Sequence, residues 1–222
     1  MSGNLVIKNA SQLVTCSGFK AKQGKDMSDL HIIEDGAVVI EHGIITAVGK
    51  TEDVLAGSPD ADFYVKGVEI IDARGKAVLP GFVDSHTHLV FAGYRDEEFS
   101  WRLGGDSYMD IMEKGGGIFN TVRATRAASK KELIEAGRKR LDSMVSFGVT
   151  TVEGKSGYGL DRVTEIKQLE AMKELNNRHP VDIVPTFMGA HAVPQEYTGR
   201  KDTYIDFIIE PVSYTHLTLP TN

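Results

Sequence analysis

The fold of this chain is interpreted from one stretch, Ala77-Val78-Leu79-Pro80-Gly81-Phe82-Val83-Asp84-Ser85-His86-Thr87-His88. Its apolar run predicts a buried β-strand that ends at the pair His86 and His88. Because residues i and i+2 of a strand share a face, the two imidazoles point into one space. Neutral imidazole is the commonest protein ligand of catalytic transition metals. The alternative interpretation of the pair is two surface histidines.

The residues before this stretch and the residues after it differ in their predicted secondary structure. Residues 1–75 contain short strands and turns with little helical periodicity, which predicts part of a small β-sandwich. One predicted hairpin joins Ala37–Ile40 to Ile44–Val48 across a three-residue turn, Glu41-His42-Gly43. From residue 76 onward, strands alternate with helices, which is typical of a parallel α/β sheet whose sites lie at the C-terminal strand ends.

Two helices of the second region carry recognisable start signals. Ser129 and Glu132 have the spacing of a capping box, which predicts a helix with an apolar stripe at Leu133, Leu141, Met144 and Val145. Asp161 is predicted to cap the next helix. The apolar residues of this helix that are expected to face inward are Val163, Ile166, Leu169 and Met172.

Length limits how much of a barrel is present. A complete (β/α)₈ TIM-type barrel takes about 250 residues, so residues 76–211 hold only its first three or four β/α units. The sequence thus predicts an α/β chain with a β-sandwich segment at 1–75 and a partial barrel at 76–211. Residues 212–222 follow no earlier periodicity, and we interpret them as a non-native tail in which His216 has no role.

Composition excludes several classes of function. Of the 222 residues, 41% are hydrophobic and 25% charged, and the net charge of −6 is mixed along the chain. No basic patch favours nucleic acid or an anionic membrane. The only cysteine, Cys16, cannot form an intrachain disulfide, and neither a signal peptide nor a run of about 20 apolar residues is evident. We expect a cytoplasmic protein.

Five stretches together resemble one family. They are the region Pro80–Arg95 with the His-Thr-His motif, Gly115-Gly116-Gly117-Ile118, Thr121-Val122-Arg123-Ala124-Thr125-Arg126, Glu153-Gly154-Lys155-Ser156-Gly157-Tyr158-Gly159-Leu160, and Phe187-Met188-Gly189-Ala190-His191-Ala192. The chain resembles the imidazolonepropionases, the ring-opening enzymes of histidine degradation in the amidohydrolase superfamily. The resemblance extends to about residue 210 and implies the N-terminal half of that polypeptide.

The resemblance implies roles for individual residues. His86 and His88 look like the metal ligands of the first barrel strand, and the metal would be zinc or iron. Arg95, Tyr158 and His191 look like substrate-binding residues. The family takes its other ligands and its general base from later strands, so the resemblance places no catalytic residue within this chain.

Each substrate-binding assignment has a competing interpretation. The Arg95 guanidinium could clamp a propionate carboxylate in two-point contact, or pair at the surface with Asp96 or Glu97. Tyr158 could donate a hydrogen bond to the substrate, or pack as an ordinary turn tyrosine. His191 could contact the substrate, or complete a three-histidine metal site with the pair at 86 and 88.

The implied reaction is metal-dependent hydrolysis of the cyclic amide of a small molecule, 4-imidazolone-5-propanoate, to N-formimidoyl-L-glutamate. The full-length protein would be a homodimer, and the present chain is expected to be inactive on its own. Two alternatives stay open. One is another cyclic amidase or aminohydrolase of the same superfamily, and the other is a truncated product without catalytic function.

Overall fold

The computed structural model describes residues 4–18, 20–56 and 68–209, which fall into two compact units, Met1–Pro80 and Gly81–Asn222. The predicted tail at 212–222 lies outside the described residues. Within these ranges, no helix is both long enough and apolar enough to cross a bilayer. The strands are β1 (Leu5–Ala10), β2 (Gln12–Val14), β3 (Ile32–Ile33), β4 (Gly36–Glu41), β5 (Ile44–Lys50), β6 (Glu69–Asp72), β7 (Ala77–Val78), β8 (Phe82–Thr87), β9 (Val149–Lys155) and β10 (Asp182–Thr186). The α-helices are α1 (Thr51–Ala56), α2 (Asp96–Leu103), α3 (Tyr108–Glu113), α4 (Ile118–Ala127), α5 (Lys130–Ser146), α6 (Arg162–Asn176) and α7 (Lys201–Phe207).

The first unit consists of two small sheets. One has the strand order β5-β4-β1-β6 and the other the order β3-β2-β7. Both sheets contribute to a small core, whose buried members are Ala10, Leu13, Val38 and Ala73. The hairpin β4–β5 is confirmed, but its turn is shorter than predicted because Glu41 already pairs with Ile44.

The second unit is built on parallel strands in the order β10-β9-β8. Helices α5 and α6 pack against each other, and α5 contacts β9 while α6 contacts β10. The alternation of strand and helix predicted from residue 76 onward is therefore present. The core of the second unit consists of buried apolar side chains from the strands, the helices and the segment after β8: Leu89, Val90, Leu133, Leu141, Val152, Ala171, Met172, Leu175, Val181 and Ile183.

The run from Ala77 to His88 is two strands rather than one. Leu79-Pro80-Gly81 separates β7, which pairs with β2 in the first unit, from β8, which pairs with β9. The prediction that the strand is buried was also wrong, since Phe82 is 53% and Val83 68% exposed. The reason is that β8 is an edge strand of the described sheet and makes strand pairs on one side only.

Helix α5 begins as the sequence predicts. Ser129 Oγ accepts from the Glu132 N–H at 3.2 Å, and the Glu132 carboxylate accepts from the Ser129 N–H at 2.8 Å. Leu133 and Leu141 are fully buried, whereas Val145 is 40% exposed and departs from the predicted stripe. Gly148, with φ +85°, follows the end of the helix in the left-handed conformation that glycine adopts without strain.

We expect Ser129→Ala to lower the free energy of unfolding by about 1 kcal/mol, because the N-terminal N–H groups of α5 lose their side-chain acceptor. Urea denaturation measures the change. Ser143→Ala, at an exposed position inside the same helix, is the control and should shift stability by no more than about 0.5 kcal/mol. Equal losses in both variants would contradict a capping role.

Helix α6 buries Met172 and packs Leu169 against the core as predicted, but it departs from the predicted inward face near its start. Asp161 caps it as expected, accepting from the Thr164 N–H at 2.8 Å. Val163, expected inward, is 75% exposed, while Glu165 and Gln168 are buried. The predicted face is wrong there because these two polar side chains find backbone partners in the loops above the sheet.

Candidate active site

The histidine pair lies where β8 ends. His86 is within the strand and exposed, and His88 follows the strand and is half-buried. Their ring centroids are 6.0 Å apart. The strand is held at this point by Thr87, whose Oγ1 donates to the Glu153 carbonyl of β9 at 2.7 Å. The two imidazoles therefore lie close together at the C-terminal strand end, as the i, i+2 spacing predicts.

The His88 imidazole has the properties of a metal donor. Its Nδ1 atom is buried and has no hydrogen-bond partner in the described structure. The pKa of His88 is lowered to about 4, chiefly by burial and also by the charges of His191, His86 and Lys155, against a backbone hydrogen bond with Ser156 that raises it. A neutral ring with a free nitrogen lone pair is the form that binds divalent metals. The pair thus fits a metal ion, although two ligands alone are fewer than such sites use.

Tyr158 and His191 lie against the histidine pair. The Tyr158 ring centroid is 4.8 Å from that of His88 and 5.3 Å from that of His191, and Phe91 packs edge-on to Tyr158 at 5.8 Å. Tyr158 comes from the loop after β9 and His191 from the segment after β10. Four of the five predicted site residues therefore meet at one strand end.

In the described residues, His191 stacks on His88 rather than joining His86 and His88 in an arrangement that could hold a metal. The rings of His88 and His191 lie 4.6 Å apart and are nearly parallel, at 16°. The ring nitrogens of stacked imidazoles direct their lone pairs within near-parallel planes rather than toward one shared ion. Over residues 4–18, 20–56 and 68–209, no group of three or more His, Cys, Asp or Glu side chains is arranged to hold a metal.

Arg95 is the predicted site residue that stands apart. It is exposed and occupies the N-cap position of α2. In the described coordinates its side chain makes no hydrogen bond or ring contact with the four clustered rings, and no ion pair with Asp96 or Glu97. The loop that leads to it is held by Arg140, which donates to the carbonyls of Leu89 and Phe91 at 2.8 and 3.0 Å.

Sequence reasoning missed a charged pair beside the histidines. The Glu153 carboxylate accepts from Lys155 Nζ at 2.6 Å and from Thr186 Oγ1 at 2.7 Å, which joins the ends of β9 and β10. The hydrogen bonds from Lys155 and Thr186 lower the pKa of Glu153, and the charge of His86 adds to the effect. The signal was the i, i+2 spacing of Glu153 and Lys155 on a strand, the same spacing that identified the histidines.

A second missed residue is Glu165 on α6. Its side chain is buried, and its carboxylate accepts hydrogen bonds from the backbone N–H groups of the Tyr158 loop. The available signal was its place in the first turn of a predicted helix, directly after the glycine-rich loop. That pattern is also typical of solvated helix starts, so the sequence alone did not single it out.

Comparison with known proteins agrees with the motifs. Residues 69–116 match the amidohydrolase family model. The chain is 62% identical over 210 residues to the imidazolonepropionase of Clostridium tetani, covering 95% of this chain and 49% of that protein. It is 57% identical over 211 residues to the imidazolonepropionase of Parabacteroides distasonis, covering 95% and 50%. The chain spans about half the length of the curated relatives it matches.

Solved structures show the same fold with more distant sequences. E. coli guanine deaminase superimposes with a TM-score of 0.55 at 19% identity, over 81% of this chain and 36% of that one. A mutant atrazine chlorohydrolase from Arthrobacter aurescens, complexed with zinc and atraton, gives 0.50 at 18% identity, over 82% and 35%. These two carry the amidohydrolase fold. The resemblance seen in the motifs is thus confirmed: the chain is similar to imidazolonepropionases over about half of their length, and part of it matches the amidohydrolase family model.

Proposed function

We propose that the whole protein hydrolyses the cyclic amide of 4-imidazolone-5-propanoate to give N-formimidoyl-L-glutamate. The observation that carries the proposal is the convergence of His86, His88, Tyr158 and His191 at one strand end. The identity of 62% and 57% to two imidazolonepropionases supports the choice of substrate. The reaction opens the ring by adding water across its C–N amide bond, so no redox partner is needed.

His86 and His88 would hold a zinc or iron ion. When bound, such an ion lowers the pKa of a water molecule toward about 7 and polarises a carbonyl oxygen. His86 is exposed, while the half-buried His88 packs against the rings of Tyr158 and His191. Because His88 is neutral at physiological pH, its free nitrogen needs no deprotonation before it binds.

The other residues orient the substrate. We propose that the Tyr158 phenol donates a hydrogen bond to the ring and that His191 contacts the ring or the carboxylate. Arg95 is proposed to clamp the propionate carboxylate through two parallel N–H bonds. Since the Arg95 side chain is exposed at the start of α2, it is free to turn toward a bound anion. Such orientation raises the reaction rate because it holds the reacting groups in place.

We further propose that β8, β9 and β10 are the first three strands of an eight-stranded barrel and that the protein acts on a small molecule in the cytoplasm as a homodimer. The 222-residue chain is proposed to lack activity by itself. The reason is that only His86 and His88 are proposed as ligands within this chain, whereas catalytic metal sites use at least three protein ligands.

The proposal is tested with a fusion of residues 1–209 to the remaining half of the Clostridium tetani relative. We expect the fusion to hydrolyse 4-imidazolone-5-propanoate, followed by loss of the ring's ultraviolet absorbance, and to leave hydantoin and guanine unchanged. The 222-residue chain alone is the control and should be inactive. Faster turnover of hydantoin or guanine would overturn the proposed substrate, and activity of the chain alone would overturn its proposed dependence on the second half.

A further inference from the structure

We infer that Glu165 is a positioning residue, whose buried carboxylate holds the loop that presents Tyr158 to His88 and His191. The effect on turnover rests on the proposed function, but the effect on loop geometry does not. Glu165 lies on α6, outside the cluster of rings, and acts on that cluster only through the backbone of the loop.

The carboxylate is bound by the loop on both of its oxygens. Glu165 is 2% exposed. Its Oε1 atom accepts from the N–H groups of Gly159 and Leu160 at 2.8 and 2.9 Å, and its Oε2 atom accepts from the Gly157 N–H at 3.0 Å. Hydrogen bonds to an ionised acceptor are stronger than neutral ones, and they offset the loss of hydration that burial imposes on the charge.

Tyr158 is the residue that these bonds enclose. The neighbours on both sides, Gly157 and Gly159, donate hydrogen bonds to the carboxylate, so the backbone that carries the phenol is anchored on both sides. The conformation needed for this wrap is unusual, with φ +107° at Gly157 and +55° at Leu160. We therefore expect the position of the phenol to follow the position of the carboxylate.

The far side of the loop is fitted against the segment that carries His191. A Cβ built on Gly157 would lie 2.7 Å from the Met188 carbonyl oxygen and 2.8 Å from His191 Cβ. Ser156 Oγ also accepts from the Met188 N–H at 2.9 Å. The loop is thus held between Glu165 on one side and the His191 segment on the other, and this sets the 5.3 Å separation of the Tyr158 and His191 rings.

Glu165→Gln changes one of the two carboxylate oxygens and keeps the other, with little change in side-chain volume. The amide oxygen keeps the acceptor for Gly159 and Leu160, but an NH₂ group replaces the oxygen that faces the Gly157 N–H. The Gly157 N–H then faces a donor in place of Oε2 and keeps only its longer contact of 3.2 Å with Oε1, which loosens the loop at its Gly157 end. The matched control is Glu170→Gln on the same helix, where an exposed carboxylate pairs with Lys130 at 3.0 Å.

The geometric test uses the 222-residue chain with ¹³C-labelled tyrosine and histidine rings. In the parent and in E170Q we expect a nuclear Overhauser contact between the rings of Tyr158 and His191. In folded E165Q this contact should fall at least about threefold and the Tyr158 ring signals should shift. An unchanged contact in folded E165Q overturns the inference, because a merely structural role lowers stability without moving the rings. Glu165→Asp, which keeps the charge but shortens its reach, gives the same decision if E165Q does not fold.

The kinetic test uses the fusion with the Clostridium tetani half. Displacement of a positioning group by about 1 Å can lower a rate by about 100-fold, and we expect a loss of 10- to 100-fold in kcat/KM for E165Q. Because Glu165 acts through Tyr158, the double variant E165Q/Y158A should be no slower than Y158A alone. Additive losses overturn the inference. An inactive parent fusion refutes the proposed function instead, and the ring contact then decides the role of Glu165.

Discussion

His88→Asn in the active fusion is expected to lower kcat/KM by more than the roughly 100-fold that loss of an outer-shell partner produces, and to remove the bound metal. The reason is that His88 Nδ1 is buried and, like His191 Nδ1, has no hydrogen-bond partner, and that the His88 ring packs against the rings of Tyr158 and His191. Asparagine cannot supply an imidazole nitrogen. Metal content after gel filtration, measured by plasma emission, gives a readout that is independent of activity.

The same substitution at His42 is the control for this result. His42 is exposed in the β4–β5 turn with φ +52°, a conformation that asparagine also adopts readily. His42→Asn should therefore leave both activity and metal content unchanged. A His88→Asn enzyme that keeps its metal and its rate would refute the assignment of this side chain as a ligand.

Gly157→Ala is expected to lower the free energy of unfolding of the second unit by about 2–5 kcal/mol. A side chain at φ +107° costs about 1–2 kcal/mol, and overpacking of a close-fitted site adds about 1–3 kcal/mol. The added Cβ meets the Met188 carbonyl oxygen and His191 Cβ, neither of which is the free end of a flexible side chain. Urea denaturation and the activity of the fusion together measure the effect.

Gly105→Ala is the control that separates backbone strain from overpacking. Gly105 has a similar φ of +99°, but a Cβ built there meets nothing within 4 Å. Its alanine variant should therefore show only the backbone strain, about 1–2 kcal/mol, with no loss of activity. If the two variants lose the same stability, the close approach of the Tyr158 loop to His191 has no energetic weight.

Much of the second unit could be predicted because its signals are local. The capping box at Ser129, the cap at Asp161 and the strands β9 and β10 depend on neighbours within a few residues. The convergence of His86, His88, Tyr158 and His191 also followed from a general rule, that parallel strands place their C-terminal ends at one edge of a sheet.

What could not be predicted depends on partners that are distant in sequence. The apolar pattern of α6 places Val163 inward, but the structure exposes it and buries Glu165 and Gln168 instead. Gln168 donates to the Val90 carbonyl at 2.7 Å, 78 positions away in the chain, and no periodicity argument includes such a partner. Likewise, the apolar run before His86 does not reveal that Pro80 and Gly81 divide it between two sheets.

The bonds from the Tyr158 loop to α6 have a consequence for enzyme engineering. A graft that transfers only residues 156–160 to another barrel carries the glycines and the phenol but leaves behind the acceptor that shapes them. Residues 156–165 therefore form the smallest portable module, and a designed variant with a longer or shorter loop would need its own anion placed on the following helix. Directed changes of substrate preference at this site should alter the two elements together.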